Sequence, residues 1–318
     1  MTWLLSGALF GLVAGLAIAL AALFGVWWER KVAGRMQMRF GPQQAGPAGI
    51  LQTLADTVKL VLKEDVTPDA ADPRIFRMAP LLVFTPIAMS LLLIPVVTGW
   101  APLDSSVGIL LFLAVPSASV IGVLLGGWSS GNTFGTLGGL RGAAQMISYE
   151  IPRTLSVMAL VVVAGSMRPA VVMGAWRWWW LPLFAVAFVI FLIASIAEMN
   201  RGPFDLPDAE SELVAGYFAD YTGIRWAIFM MSEYGGMLAT GLFGAAVFLG
   251  GTNGLPGVLG ALVLLVKAIA IVTAVVWIKW TFPRFRQDQL MKLAWKVLTP
   301  IALVQLLVAG AVAVLWLR

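Results

Sequence analysis

The 318-residue sequence has no cysteine and no histidine, and only 12% of its residues are charged. Without thiolates and imidazoles it lacks the ligands that Fe–S clusters, haem and most zinc or copper sites require. It also lacks a GxGxxG turn following a strand and a GxxxxGK[ST] loop, the two common nucleotide-binding motifs. We therefore expect that this chain alone binds no metal and no cofactor.

Long apolar runs are abundant in the sequence. Hydrophobic residues make up 60% of the chain, and the mean hydropathy is +0.91. Apolar runs of about 20 residues recur, long enough to cross a hydrocarbon core roughly 30 Å thick. The runs are too long and too uniform for barrel strands, which alternate at every second residue. The sequence thus predicts an all-α polytopic membrane protein, with residues 1–318 forming a single membrane domain.

We predict eight transmembrane helices and one amphipathic helix in the interface. The approximate spans are 3–28, 78–97, 107–127, 143–165, 178–197, 224–249, 255–278 and 298–317, with tryptophans near several ends, as in an aromatic belt. Residues 47–63 carry apolar side chains at helical spacing opposite a polar stripe, which predicts a helix lying in the membrane surface. That helix either anchors its loop or forms one wall of a lateral opening for a lipid-soluble molecule.

Basic residues indicate the orientation of the chain. The loops after spans 1, 3, 5 and 7 hold most of the lysines and arginines, whereas the other side has only Arg168, Arg177 and Arg318. Because positive loops stay in the cytoplasm, we predict long cytoplasmic loops and both termini on the outer side of a bacterial cell membrane. The first apolar run is too long for a signal peptide and has no basic residues before it, so we expect it to be a retained span.

Four ionisable residues fall inside or at the end of predicted spans: Glu150, Glu233, Lys267 and Glu198. Such residues cost at least ~2.5–3.5 kcal/mol to insert and typically mark ion or proton pathways. Simple ion pairs are the alternative. Glu150 could pair with Arg153 and Glu198 with Arg201, each three residues apart on a helix, and Lys267 could pair with a buried glutamate.

Residues 197–221, "AEMNRGPFDLPDAESELVAGYFADY", gather a large share of the 16 carboxylates of the chain. They are Glu198, Asp205, Asp208, Glu210, Glu212 and Asp220. Asp208 and Glu212 would share one face of a helix and repel each other. Apolar residues interleave with the charges, which is unlike a solvated acidic tail. We therefore interpret the stretch as functional.

Four segments carry a resemblance to a known family. They are "ERKVAGRMQMRFGPQQAGPAGILQTLADTVKLVLKED", "LRGAAQMISYE", "AEMNRGPFDLPDAESELVAGY" and "WIKWTFPRFRQDQLMKLAWKVLTP". In this order they resemble the H-type membrane subunit of respiratory complex I, the proton-translocating NADH:quinone oxidoreductase, whose mitochondrial counterpart is the first NADH dehydrogenase membrane subunit. The resemblance covers nearly the whole chain. It implies a translocase subunit that is not catalytic alone.

The resemblance implies a quinone chamber between span 1, the interfacial helix and span 6, with quinone as the substrate. It further implies FMN and Fe–S clusters in partner subunits, cytoplasmic redox-arm subunits over the chamber, and antiporter-like membrane subunits beside the bundle. No nucleic acid is expected as a partner. The implied proton path consists of Glu150, Glu198, Glu210, Glu212, Glu233, Arg201 and Lys267. The implied chamber residues are Glu29, Arg30, Arg39, Gln52, Asp56 and Asp205.

The sequence departs from the family pattern at a few positions. Aspartates stand at Asp208 and Asp220 where the family has glutamate, Ser232 stands for alanine, and Arg153 stands for an apolar residue beside Glu150. Two other functions remain open from the sequence. One is a related membrane subunit of a hydrogenase or ferredoxin-linked complex. The other is a stand-alone secondary transporter, which would be expected to show paired repeats with broken helices.

Overall fold

The computed structural model describes the backbone of residues 2–97, 100–208 and 210–316, and their side chains except those of residues 2–6, 8, 210, 211 and 316. Throughout this part of the chain the regular structure is helical, with no β-sheet. The all-α prediction is confirmed. The α-helices are α1 (Thr2–Met36), α2 (Gln52–Leu62), α3 (Pro73–Leu91), α4 (Gly108–Ser117), α5 (Ser119–Ser129), α6 (Thr133–Ala164), α7 (Pro169–Ala175), α8 (Trp180–Glu198), α9 (Glu210–Leu213), α10 (Gly223–Val247), α11 (Gly257–Thr281), α12 (Gln287–Lys292) and α13 (Thr299–Trp316).

Seven helical segments of the described chain are long and apolar enough to cross a membrane. They are Leu9–Met36, Pro73–Leu91, Gly108–Ser129, Thr133–Ala164, Trp180–Glu198, Gly257–Thr281 and Gln287–Leu315. The third joins α4 and α5, and the last joins α12 and α13 through a π-helical turn, Leu293–Leu298. The predicted sixth span, 224–249, is the 25-residue helix α10. It is not among the seven because glycines and polar residues such as Glu233 dilute its hydropathy.

Several helices extend further than hydropathy indicated. α1 continues beyond the predicted end of span 1, so Glu29, Arg30 and Arg35 belong to the same helix. α6 begins at Thr133, ten residues before the predicted span, where the side chain of Asn132 accepts a hydrogen bond from the amide of Phe134 at 3.0 Å. A charged or glycine-rich stretch continues a helix readily once packing supports it, so the predicted spans covered only parts of α1 and α6. The second predicted span, 78–97, is offset in the other direction, because α3 begins at Pro73 and ends at Leu91.

The interfacial helix is shorter than predicted. Its α-helical part, α2, begins at Gln52, and a single 3₁₀ turn, Pro47–Gly49, comes before it. The backbone at this turn is irregular because Gly46, Ala48 and Gly49 all have positive φ angles, 72°, 54° and 74°. A helix of right-handed residues cannot run through such positions.

Close helix packing forms the centre of the bundle. α6 packs against α5, α8 and α13, while α10 packs against α1, α3 and α11. Small residues make the closest approaches possible, since a Cβ added to Gly127 would lie 2.2 Å from the carbonyl oxygen of Gly135. Stacked rings of Phe112 and Phe243, with centroids 3.8 Å apart, fill the core between α4 and α10. This tight interior encloses the charged residues described next.

Candidate functional site: a chamber and a buried chain of charges

A cavity of about 430 Å³ lies between α1, α2 and α10. Its wall is mainly apolar and includes Ala22 and Val26 from α1 and Met230 from α10. Along α1 these apolar residues give way to Glu29 and Arg30, so one wall changes from apolar to charged within two helical turns. We call this cavity the chamber. It suits a ligand that has a long apolar part and a polar end.

The face of α2 that lines the chamber is not the one that its apolar stripe indicated. Thr53, Asp56, Thr57, Leu60 and Val61 line the cavity. The apolar side chains of Leu54 and Val58 instead point away from it and are about half exposed. The helix therefore presents a mixed polar face to the chamber, and its most apolar face is left for the bilayer or a partner.

Four of the six predicted chamber residues line this cavity: Glu29, Arg30, Arg39 and Asp56. Arg30 donates a hydrogen bond to Asp56 at 2.8 Å, which ties α1 to α2. Burial acts to raise the pKa of Asp56, but hydrogen bonds from Arg30 and Gln52 lower it below its usual value. Gln52 does not line the cavity; its Nε2 donates a hydrogen bond to Oδ1 of Asp56 at 3.2 Å.

Glu29 is the centre of a buried group of charges that we call the inner cluster: Glu29, Arg201, Glu233, Tyr234 and Lys279. Its carboxylate accepts hydrogen bonds from Arg201 at 2.8 Å, Tyr234 at 2.9 Å and Lys279 at 2.6 Å. The Nε atom of Arg201 lies 3.2 Å from a carboxylate oxygen of Glu233. Burial acts to lower the pKa of Arg201, but Tyr234, Glu29 and Glu233 together raise it above its usual range.

A second buried pair lies beyond Glu233. Glu198, at the end of α8, forms an ion pair with Arg153 of α6, and both side chains are less than a tenth exposed. A cavity of about 60 Å³ lies between this pair and Glu233, because all three residues line it. We call it the small cavity. It has room for a few water molecules, which could connect the two groups by hydrogen bonds.

The turn that carries Arg201 is held in place by Gln145 of α6. Its side-chain amide donates hydrogen bonds at 2.7 Å to the carbonyl oxygens of Ala197 and Phe204, on either side of the turn. Gln145 is itself buried. This bracing explains how a loop after α8 can hold an arginine at a fixed position inside the protein.

The acidic stretch does not form one cluster. Asp205 accepts two hydrogen bonds from Arg284, at 2.6 and 2.9 Å, and these raise the pKa of Arg284. Glu212 pairs with Arg141 at 2.7 Å, and Asp220 accepts a hydrogen bond from Asn132 at 3.1 Å. The side chain of Glu210 lies outside the described residues. Among Glu198, Asp205, Glu212 and Asp220, only Glu198 belongs to the buried chain of charges.

Glu150 and Lys267 lie apart from the inner cluster. Glu150 accepts a hydrogen bond from the Ser117 hydroxyl at 2.6 Å. Lys267 donates to the carbonyl oxygens of Leu249 and Gly251 and to the side chain of Asn253. Lys267 therefore sits near the loop that follows α10, at the opposite end of that helix from the turn before Gly223.

Sequence proximity gave different ion pairs from those the structure has. Glu198 contacts Arg153 and not Arg201, which pairs with Glu29 and Glu233. Tyr234 and Lys279 were not identified as site residues, although Tyr234 directly follows Glu233 and Lys279 belongs to a segment that carries the family resemblance. They meet Glu29 from 205 and 250 residues away. No local spacing rule connects positions that far apart.

Comparison with known proteins gives a consistent result. Residues 9–310 match the protein family described as NADH dehydrogenase. The chain is 46% identical to the H-type subunit of NADH-quinone oxidoreductase from Geobacillus kaustophilus strain HTA426 over 304 residues, which is 93% of this chain and 91% of that protein. It is 45% identical to the same subunit from Bacillus cereus strain B4264 over 310 residues, with 95% and 93% covered.

Proposed function

This chain belongs to the family of the H-type membrane subunit of NADH-quinone oxidoreductase, or complex I, and from that premise we propose that the chamber binds quinone and that the buried charges couple its reduction to proton movement. The observation that supports both parts is the position of Glu29. It lines the chamber and is hydrogen-bonded to Arg201, which contacts Glu233 at the small cavity. Membership of this family favours the quinone enzyme over a hydrogenase-type subunit or a stand-alone transporter.

The chamber suits quinone because of where its polar residues lie. An isoprenoid tail needs only generic apolar surface, which α1 and α10 supply. A quinone headgroup needs hydrogen-bond donors, and Arg30 and Arg39 line the same cavity. FMN and Fe–S clusters would belong to partner subunits, so this chain would position the headgroup and leave electron transfer to its neighbours.

The coupling follows from charge balance. Reducing a quinone to quinol consumes two protons. Gain or loss of a proton at Glu29 changes the electrostatic potential at Arg201, which contacts Glu29, and at Glu233, which contacts Arg201. From Glu233 the effect would pass through the small cavity to Glu198 and Arg153. Glu150, Glu212 and Lys267 remain proposed members of the path on the family resemblance alone.

We also propose that α10 crosses the membrane as an eighth span. Its 25 residues give a length of about 37 Å. It packs between α1, α3 and α11, which are all long and apolar enough to cross a membrane. The absence of native cysteine makes a direct test possible. Single cysteines at Gln44 and Gly254 should react with impermeant thiol reagents from opposite sides of sealed vesicles, Gln44 from the cytoplasm. Labelling of both from one side would refute this topology.

The chamber proposal is tested by blocking the cavity. Leu60→Lys introduces a charge into the wall, whereas Val58→Lys introduces the same charge on the face of α2 that points away. We expect Leu60→Lys to reduce quinone turnover while NADH oxidation with an artificial soluble acceptor stays normal. Val58→Lys is the matched control. Equal loss of both activities in Leu60→Lys would indicate misassembly, and equal quinone turnover in the two variants would refute the chamber.

A further inference from the structure

Lys267 carries a positive charge that no acidic side chain in the described chain neutralises. Its ammonium group donates hydrogen bonds to the carbonyl oxygens of Leu249 and Gly251, at 2.7 and 2.8 Å, and to Oδ1 of Asn253 at 2.7 Å. All three acceptors are neutral. The position lies within α11, one of the seven membrane-crossing candidates. An unneutralised cation there is costly unless an anion from elsewhere meets it.

A cavity of about 680 Å³ adjoins Lys267 at this end of the bundle. A second cation, Arg177, also lines it, and the lining residues include no aspartate and no glutamate. Arg177 is exposed, and its side chain makes one long hydrogen bond, from Nη1 to the carbonyl oxygen of Trp176 at 3.4 Å. Most of its N–H groups are therefore available to an incoming anion. We call this space the cationic cavity.

The cationic cavity lies where apolar and polar surfaces meet. Trp178 and Leu181 on its wall are 77% and 51% exposed, and α8, another membrane-crossing candidate, begins at Trp180. Trp176 forms a fixed part of the wall, because its indole N–H donates to the carbonyl oxygen of Phe248 at 3.0 Å. Exposed tryptophans at a helix end are typical of the level of lipid headgroups.

We propose that the cationic cavity binds the phosphate group of an anionic phospholipid. Arg177 would donate hydrogen bonds to the phosphate, and Lys267 would supply the second positive charge. Asn253 would add a third contact, since its Oδ1 already accepts from Lys267 and its Nδ2 hydrogens remain for a ligand. The acyl chains would extend over the exposed apolar residues beside the cavity. Lys267 also satisfies backbone carbonyls after α10, but that role alone accounts for neither Arg177 nor the lack of carboxylates around the cavity.

The test uses the intact purified complex and a photoreactive phosphatidylglycerol whose diazirine lies near the headgroup. Wild type is compared with Arg177→Gln, which removes one cation, and with Asn253→Asp. The second change places a carboxylate beside Lys267 with almost no change of shape, and Asp accepts the positive φ of 53° at this position. Arg168→Gln is the matched control, because Arg168 is an exposed arginine outside the cavity lining.

We expect labelled peptides from residues 173–181 or 249–254 in the wild type and in Arg168→Gln. Labelling at subsaturating lipid should fall roughly fivefold in Arg177→Gln, as for one basic side chain near an anionic lipid, and further in Asn253→Asp. Asn253→Asp should assemble normally because it adds an ion pair. The proposal is overturned by unchanged labelling in both cavity variants, by equal labelling with a photoreactive phosphatidylcholine, or by full competition from millimolar inorganic phosphate, which would indicate a site for free anions.

Discussion

The ion pair between Arg153 and Glu198 allows the proton-path proposal to be separated from a purely structural role. Each side chain is less than a tenth exposed, so removing one partner leaves the other charge buried. Such losses cost about 3–5 kcal/mol, whereas replacing both partners by neutral groups is often nearly free. The perturbation is therefore a cycle of three variants: Arg153→Met, Glu198→Gln, and the two changes together.

The two single changes should not cost the same. Arg153→Met leaves Glu198 without a cation, and we expect a loss near the upper end of that range, about 5 kcal/mol. Glu198→Gln leaves Arg153 close enough to Glu150 to retain some attraction, so its cost should be nearer to about 3 kcal/mol. In the double variant no charge of this pair remains, and assembly should return to about the wild-type level.

Assembly is measured as the amount and thermal midpoint of the complex in membranes, and coupling as proton uptake into sealed vesicles with a pH-sensitive dye. If Glu198 relays protons, the double variant assembles yet couples quinone reduction to pumping poorly. Full recovery of both assembly and pumping in the double variant would refute the relay. A double variant as unstable as the singles would refute the ion-pair reasoning. Asp288→Asn, which breaks an exposed pair with Lys292, is the control and should change neither measurement.

Two further results are expected. Arg201→Met should lower the stability of the complex by about 3–5 kcal/mol. Because the pKa of Arg201 is raised in the folded protein, its stabilising contribution is complete at any pH below the usual arginine pKa, so the loss should be the same at pH 6 and pH 9. A strong pH dependence of this loss in thermal unfolding would contradict the role of Arg201 as a charged partner of Glu29 and Glu233. Arg286 is exposed on the loop after α11, which we predict to face the cytoplasm and to dock the redox arm. Arg286→Glu should therefore weaken attachment of that arm without disturbing the Arg284–Asp205 pair, and a fully assembled complex on native gels would refute this docking role.

The sequence predicted the helices well because long apolar runs leave the backbone few alternatives in lipid. It predicted helix ends less well. α1 and α6 continue through charged or glycine-rich stretches that hydropathy excludes, and α2 begins late because Ala48 adopts a positive φ. Those outcomes depend on caps and on packing partners that lie far away in the sequence.

For the charged residues, too, only part of the arrangement could be predicted. Their types and their approximate depth in the membrane followed from the sequence, but their ion-pair partners did not. Helical spacing suggested that Glu198 pairs with Arg201. In the structure the turn after α8 places Arg201 against Glu29 of α1, and Glu198 pairs with Arg153 of α6. Glu29 was placed in the chamber through the family resemblance, yet its contact with Lys279 depends on how α1 and α11 pack. Pairings of this kind become visible only once the helices are arranged.

The inner cluster holds two carboxylates, Glu29 and Glu233, and two fixed cations, Arg201 and Lys279. With every group ionised, its charges sum to zero. A single proton added to either acid leaves one full unit of positive charge at a largely buried site, where charges interact more strongly than in bulk water. Under the proposed coupling, proton uptake beside the chamber would therefore change the electrostatic potential at the Glu198–Arg153 pair without requiring any side chain to move.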